Sequence, residues 1–292
     1  MRSNSIAKGY RIQIMATNLL EGLNEQQERA LTHGDGPLLI VAGAGTGKTT
    51  VISRRIAWLI ENGKCKPHEI LALTFTEKAS AEMEERVDRL LPYGYVNLWV
   101  MTYHAFCERI VRAHALDVGL PSNLKLLDLT SSWLLVRKNL DSFDLDYYRP
   151  LGNPAKFIHA FLQHFSRAHD EEITPERYLS HAESLKLDTD TVGEQDPQVL
   201  EIKKTEELAK GYHRYEQLLL ENSAIDFGGL ITCALRIFRT RPAILNAYRA
   251  QFKYILVDEF QDTNRAQYEI IKLLAGERKN ITILADDDQA IF

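Results

Sequence analysis

The sequence predicts an α/β fold: a parallel sheet with helices on both faces, interrupted by an inserted, mostly helical domain. Three observations predict it. Short apolar, often β-branched runs at 37–41, 70–75, 98–102, 254–257 and 281–284 have the length and character of buried strands. Most of them lead into segments whose apolar residues recur three or four apart, and strands that alternate with helices build parallel sheets. Between about 111 and 223 the strand signal fades and helical periodicity dominates.

Taken in order, residues 1–14 carry little pattern and are expected to be an unstructured extension, with Met15 the expected start of the organised chain. Residues 15–110 form the first part of the sheet domain. Its first helix, 24–31, opens on Asn24 with Gln27 three residues later, the spacing of a capping pair. Strand 37–41 runs into a loop rich in small residues and then helix 48–60; strand 70–75 leads to helix 78–91, and strand 98–102 to helix 104–114. The insertion, 111–223, carries helical patterns at 130–139, 154–169, 175–185 and 198–220, separated by turn-rich pieces at 148–154 and 188–197. Residues 224–292 return to the sheet domain with strand 254–257, helix 265–274 and strand 281–284.

Composition narrows the class. With 292 residues, 45% hydrophobic and 26% charged, the chain has the core of a folded protein and room for about two domains. A net charge of −5 means that any nucleic-acid contact must come from a local basic or stacking surface. Cys65, Cys107 and Cys233 lie far apart, which suits a reducing compartment and argues against a disulfide framework. Cys65 and His68 lack a second pair for a zinc site, and His159, His164 and His169 recur every five residues, about 140° apart around a helix, which is a poor ligand face. No apolar run reaches the ~18 residues of a membrane span and no signal-peptide pattern opens the chain, so a cytoplasmic protein without a membrane partner is expected.

Two segments carry chemistry. Ala42, Gly43, Ala44, Gly45, Thr46, Gly47, Lys48 and Thr49 form a phosphate-binding loop between a strand and a helix. Small residues let backbone N–H groups curl toward a β-phosphate, Lys48 reaches the β- and γ-phosphates, and the Thr49 hydroxyl can ligate Mg²⁺. The following helix adds its N-terminal partial charge. Ala42 stands where the usual pattern has glycine, and a small residue keeps the turn. At the end of strand 254–257, Asp258 and Glu259 put two carboxylates where open α/β sheets bind ligands. In a nucleotide motor Asp258 holds Mg²⁺, directly or through water, and Glu259 orients and deprotonates the attacking water.

Further segments stand in order around these two: 23–27, Thr74 to Ala79, Thr102 to His104, and Ala285 to Phe292, which reads Ala-Asp-Asp-Asp-Gln-Ala-Ile-Phe. The set resembles the superfamily 1 DNA helicases of the UvrD, Rep and PcrA type, from about Leu23 to Phe292. That resemblance implies a RecA-like P-loop NTPase domain that uses ATP and Mg²⁺, with lysine, aspartate, glutamate and Gln289 as the catalytic set. It makes Gln27 the reader of the adenine edge, although Asn24 and Gln27 also read as a helix cap. Gln289 becomes the γ-phosphate sensor; Asp286 to Asp288 otherwise read as an acidic turn. Thr74, Phe75, Thr102, Tyr103 and His104 match the family's single-strand contacts, with core packing the alternative for Phe75 and Tyr103. The segment 225–230, with two glycines, is similar to another family segment near the DNA path, or is a hinge. Two departures are visible: Thr50 replaces an arginine that stacks on adenine, and Glu77 replaces an asparagine near the phosphate path.

The resemblance further implies 3′ to 5′ movement along single-stranded DNA, action at duplex junctions in repair or recombination, and a second motor domain beyond Phe292 that supplies arginines to the γ-phosphate. A binding module without turnover, a helicase arm of a helicase-nuclease, and a P-loop kinase or metabolic ATPase are the competing readings.

Overall fold

The computed structural model describes residues 19–91, 97–187 and 197–286. Its contacts divide the chain into two compact units, one of 1–106, 238–263 and 268–292 and one of 107–237 with 264–267.

The first unit is built on a five-stranded parallel sheet of β1 (Leu38–Val41), β2 (Ile70–Thr74), β3 (Trp99–Thr102), β6 (Tyr254–Val257) and β7 (Ile281–Ala285), in the order β1-β7-β6-β2-β3. All five expected strands are present. The central strands β2 and β6 are buried at every residue, as a parallel sheet covered on both faces requires. On one face Ile70, Ala72, Val100, Leu256 and Leu284 pack against Ile52, Ile56 and Leu59 of α2 (Lys48–Glu61) and against Met83 and Val87 of α3 (Glu77–Leu90). Leu71, Leu73, Ile255 and Val257 point the other way and are equally buried. Trp99 packs edge-on against Phe252, with ring centroids 5.1 Å apart. Edge strand β1 is different: Leu39 and Val41 are exposed.

Helix α1 (Glu25–Thr32) is tied down at both ends. Asn24 Oδ1 accepts from the Gln27 N–H while the Gln27 side-chain Oε1 accepts from the Asn24 N–H. At the other end, buried Arg55 of α2 donates to the carbonyls of Ala30, Leu31 and His33 and to the Thr282 hydroxyl on β7. These bonds satisfy the carbonyls that the end of a helix leaves open. They also fix α1 beside the loop that precedes α2.

The chain passes into the second unit within α4 (Tyr103–His114) and returns within α9 (Phe227–Thr240). This unit holds α5 (Leu129–Lys138), α6 (Ile158–Asp170), α7 (Pro175–Leu187) and α8 (Pro197–Glu221), matching the helical patterns read from the sequence. Its core is a stack of aromatic rings: Phe165 lies 5.9 Å from Phe161, 5.0 Å from Tyr212 and 5.5 Å from Tyr215. Unexpected from the sequence is a two-stranded parallel sheet of β4 (Lys125–Leu127) and β5 (Ala224–Asp226). The three recurring histidines have separate surroundings: His159 is exposed, His164 meets the Tyr178 hydroxyl at 2.8 Å, and His169 is buried beside Glu216.

The glycine pair after β5 is explained by close packing. A Cβ on Gly228 would lie 2.8 Å from His169 Cδ2, and one on Gly229 would lie 2.9 Å from Asp226 Oδ1. Neither glycine has a positive φ. Asp226 accepts from the Gly229 N–H and from the Tyr215 hydroxyl, which closes the start of α9.

Two helices that periodicity did not single out, α9 and α10 (Pro242–Gln251), precede β6, and α11 (Arg265–Ala275) stands between β6 and β7. Among the described residues no helix is long and apolar enough to cross a membrane, and all three cysteines are buried free thiols.

Candidate functional site

Because every strand of the sheet is parallel, the carboxyl ends of β1, β6 and β7 lie side by side and deliver their loops to one place. The loop after β1 begins with the Ala42 N–H donating to the Ala285 carbonyl of β7. Gly45 and Gly47 have φ of 74° and 87°, the left-handed region where a side chain is strained, so these two positions require glycine. Ala42 is not among the left-handed residues, which is why alanine serves there without strain. Thr46 donates through its hydroxyl to the Gly43 carbonyl, closing the loop on itself. Ala44, Gly45 and Thr46 are exposed, leaving the loop's crest open to a ligand.

Lys48, at the first turn of α2, is 9% exposed and points back under the loop. Its ammonium donates to the Ala42 carbonyl at 2.9 Å and to Asp286 Oδ2 at 2.7 Å. Asp286, immediately after β7, is fully buried. Thr49 and Thr50 follow in the same helical turn and are half-buried.

Gln27 approaches from α1. Its Nε2 donates to the Thr46 carbonyl at 2.9 Å while its Oε1 caps its own helix, so the residue both caps α1 and touches the loop.

On β6, Asp258 is 4% exposed, and its N–H donates to the Leu73 carbonyl. Burial, with the neighbouring Glu259 charge adding to it, pushes the Asp258 carboxyl up to about 6; the Glu259 N–H and Lys48 pull in the opposite direction. Glu259 adopts a left-handed conformation, φ 50° and ψ 49°. Gln261 donates to Glu259 Oε2 at 2.6 Å and accepts from the Asp286 N–H at 3.0 Å.

The residues expected to face a DNA strand divide in two. Phe75 is 46% exposed, because β2 ends at Thr74 and the ring falls in the following turn rather than in the core. His104 is half-buried, and burial lowers its pKa against the opposing pull of Glu77. Thr74, Thr102 and Tyr103 are buried, Tyr103 as its core-packing alternative has it. The Thr74 hydroxyl is taken up by the Thr76 carbonyl and Ser80. Thr102 donates to Glu77 Oε1 and accepts from the Ala105 N–H, and the Tyr103 hydroxyl meets Thr263 at 3.3 Å. Glu77 itself sits in the first turn of α3, where a carboxylate suits the helix end. Gln289 lies outside the described residues.

The chain matches the description "UvrD/REP helicase N-terminal domain" over residues 23–292. It belongs to that family. Among curated relatives, it is 37% identical over 279 residues to the ATP-dependent DNA helicase PcrA of Bacillus subtilis, covering 95% of this chain and 34% of the relative. The PcrA of Staphylococcus epidermidis is 36% identical over 274 residues, and that of Staphylococcus aureus is 33% identical over the same length; each alignment spans 94% of this chain and 34% of the relative. The chain therefore spans about a third of the length of the curated relatives it matches.

Sequence reasoning passed over two residues of this site. Asp286 reads in the sequence only as part of an acidic turn, and Gln261 is not singled out there. The available signal for Gln261 was its position three residues after Asp258, at the end of a buried strand.

Proposed function

We propose that the chain is the first motor domain, with a helical insertion, of an ATP-dependent helicase that moves 3′ to 5′ along single-stranded DNA and opens duplex junctions in repair or recombination. The observation that carries this reading is the convergence of Lys48, Asp258 and Glu259 at the carboxyl ends of one parallel sheet, around a loop open at its crest.

The residues present fit ATP with Mg²⁺. A buried lysine waits under a loop with two left-handed glycines, and a buried carboxylate whose ionisation is disfavoured stands ready for a cation. Thr49 and Asp258 would hold Mg²⁺, which supplies charge neutralisation at the phosphates. The backbone N–H groups from Gly43 to Thr49 and the Lys48 ammonium bind the phosphates, and Gln27 meets the adenine edge with the second hydrogen of its amide. Thr50 offers no stacking face for the base, so adenine selectivity rests on Gln27. Glu259 orients and deprotonates a water, and Gln289 senses the γ-phosphate.

For DNA, Phe75 and His104 supply stacking faces, while Thr74, Thr102 and Tyr103 shape the turns that present them. A second motor domain completes the ATP site with arginines. An arginine finger is worth about 10³ to 10⁵ in rate in related phosphoryl transfer, so the chain alone binds ATP and turns it over slowly. Its place of action is the cytoplasm.

Two variants test the assignment. Lys48→Ala abolishes productive phosphate binding, whereas Glu259→Gln keeps nucleotide affinity and loses hydrolysis. Equal loss of affinity in both overturns these roles. ATPase activity measured with and without single-stranded DNA separates a motor domain from a module that only binds; stimulation by the strand favours the motor.

A further inference from the structure

We propose that Gln261 is a positioning residue for Glu259, holding its carboxylate and tying it to the Asp286 end of β7. The inference rests on the reading of Glu259 as the carboxylate that activates water.

Glu259 needs holding. Its left-handed backbone is unfavourable for a non-glycine residue, and such a conformation persists only where the surroundings over-determine it. Here the Glu259 N–H is held by Asp258 Oδ1 at 3.1 Å, its carbonyl accepts from the Asp262 N–H at 3.0 Å, and its side chain is held by Gln261 Nε2 at 2.6 Å. Backbone and carboxylate are thus fixed by separate contacts.

The chemistry of the pair calls for glutamine. One end of the side chain faces a carboxylate, which only accepts, and the other faces the Asp286 N–H, which only donates. A side-chain amide supplies a donor and an acceptor in fixed relation. Glutamate would set one carboxylate against another, and asparagine is one methylene short of spanning both partners.

The far end of this link is not passive. Asp286 gives its N–H to Gln261 and its carboxylate to Lys48, so the residue that follows β7 joins the phosphate lysine to the hydrolytic carboxylate through one side chain. A phosphate that draws Lys48 away from Asp286 acts on the residue that anchors Gln261.

The test uses the 292-residue chain. Single-turnover hydrolysis and the Kd for a fluorescent ATP analogue are measured for wild type, Gln261→Leu, Gln261→Asn and Glu259→Gln. A positioning role leaves Kd within about threefold in Gln261→Leu while hydrolysis falls by about 10- to 100-fold, with Gln261→Asn between it and wild type. Independently of turnover, a thermal double-variant cycle of Gln261→Leu with Glu259→Ala reads the contact itself; coupling makes the double variant's fall in Tm smaller than the sum of the singles by about 2 °C or more. If Gln261→Leu fails to fold, Gln261→Asn takes its place in the cycle. Additive falls in Tm, unchanged hydrolysis in Gln261→Leu beside an active wild type, or ATP affinity lost in parallel with rate overturns the proposal. Wild-type hydrolysis in Glu259→Gln together with a coupled cycle overturns instead the role given to Glu259.

Discussion

Replacing Asp286 by asparagine separates two things expected of the Lys48 pairing: support of the fold and, on the proposed function, competition with a phosphate for the lysine. Asp286 is fully buried and Lys48 is 9% exposed, so removing the negative partner leaves an ammonium in a low dielectric. Breaking a buried pair from one side costs about 3–5 kcal/mol. The Ala42 carbonyl still accepts from Lys48, which puts Asp286→Asn at the lower end, ~3 kcal/mol. At about 2–4 °C per kcal/mol for a chain of this size, Tm falls by about 6–12 °C. ATP then has the opposite effect. Its phosphates return a counter-charge to Lys48 with no carboxylate to displace, and recovering half of the lost energy tightens binding by about tenfold. Differential scanning fluorimetry with and without Mg-ATP reads both quantities, and the rise in Tm on adding ATP is larger in the variant than in wild type. A double variant, Lys48→Met with Asp286→Leu, melts above Asp286→Asn because no uncompensated charge is left. Wild-type Tm in Asp286→Asn, or an ATP shift no larger than wild type's, refutes the reasoning.

Gly228→Ala puts a Cβ 2.8 Å from the ring of buried His169 and is expected to destabilise by about 1–3 kcal/mol, measured by urea unfolding; a neutral result shows that the ring has room to move. His169 gives a pH signature: burial lowers its pKa, but Glu216, Asp226 and Asp170 outweigh it and the net shift is upward. A raised histidine adds stability that is complete below the unfolded value of about 6.5 and is lost as pH rises through the folded pKa, so wild-type Tm falls more than that of His169→Gln as pH rises above about 6.5. Arg55→Leu strips a buried donor from Thr282 and three carbonyls of the α1 end, and is expected to cost at least ~3 kcal/mol in chemical denaturation; a loss under about 1 kcal/mol shows that water replaces the guanidinium.

Most of the sheet was legible because its strands are uninterrupted apolar runs. A central parallel strand buries both faces, and β2 and β6 read that way in sequence and in space. Strand ends were less legible. Phe75 continues the apolar run of β2, yet the Thr74 hydroxyl turns the chain by bonding to the Thr76 carbonyl, and the ring leaves the sheet. The short strands β4 and β5 have three residues each, too few to show a period. Asn24 lies just outside the helix that it was expected to begin, because its side chain caps the helix.

The candidate site was legible where chemistry requires a residue type at a fixed spacing, as in the loop 42–49 and in Asp258 with Glu259. What stayed hidden was pairing across the sheet. Lys48 and Asp286 are 238 positions apart, and the pairing of β1 with β7 brings the loop and the carboxylate together. Gln261 reaches Asp286 through the neighbouring contact of β6 with β7. Strand order, which a single sequence does not display, therefore decides which carboxylate Lys48 meets. With β7 between β1 and β6, one residue at its end touches both the lysine from one neighbour and the glutamine from the other. Any sheet order that separated those three strands would leave the same motifs intact in sequence and uncouple them in space. On the proposed function the loop 42–49 holds the phosphates, and the position of β7 is what links Lys48 to Glu259 through Asp286 and Gln261.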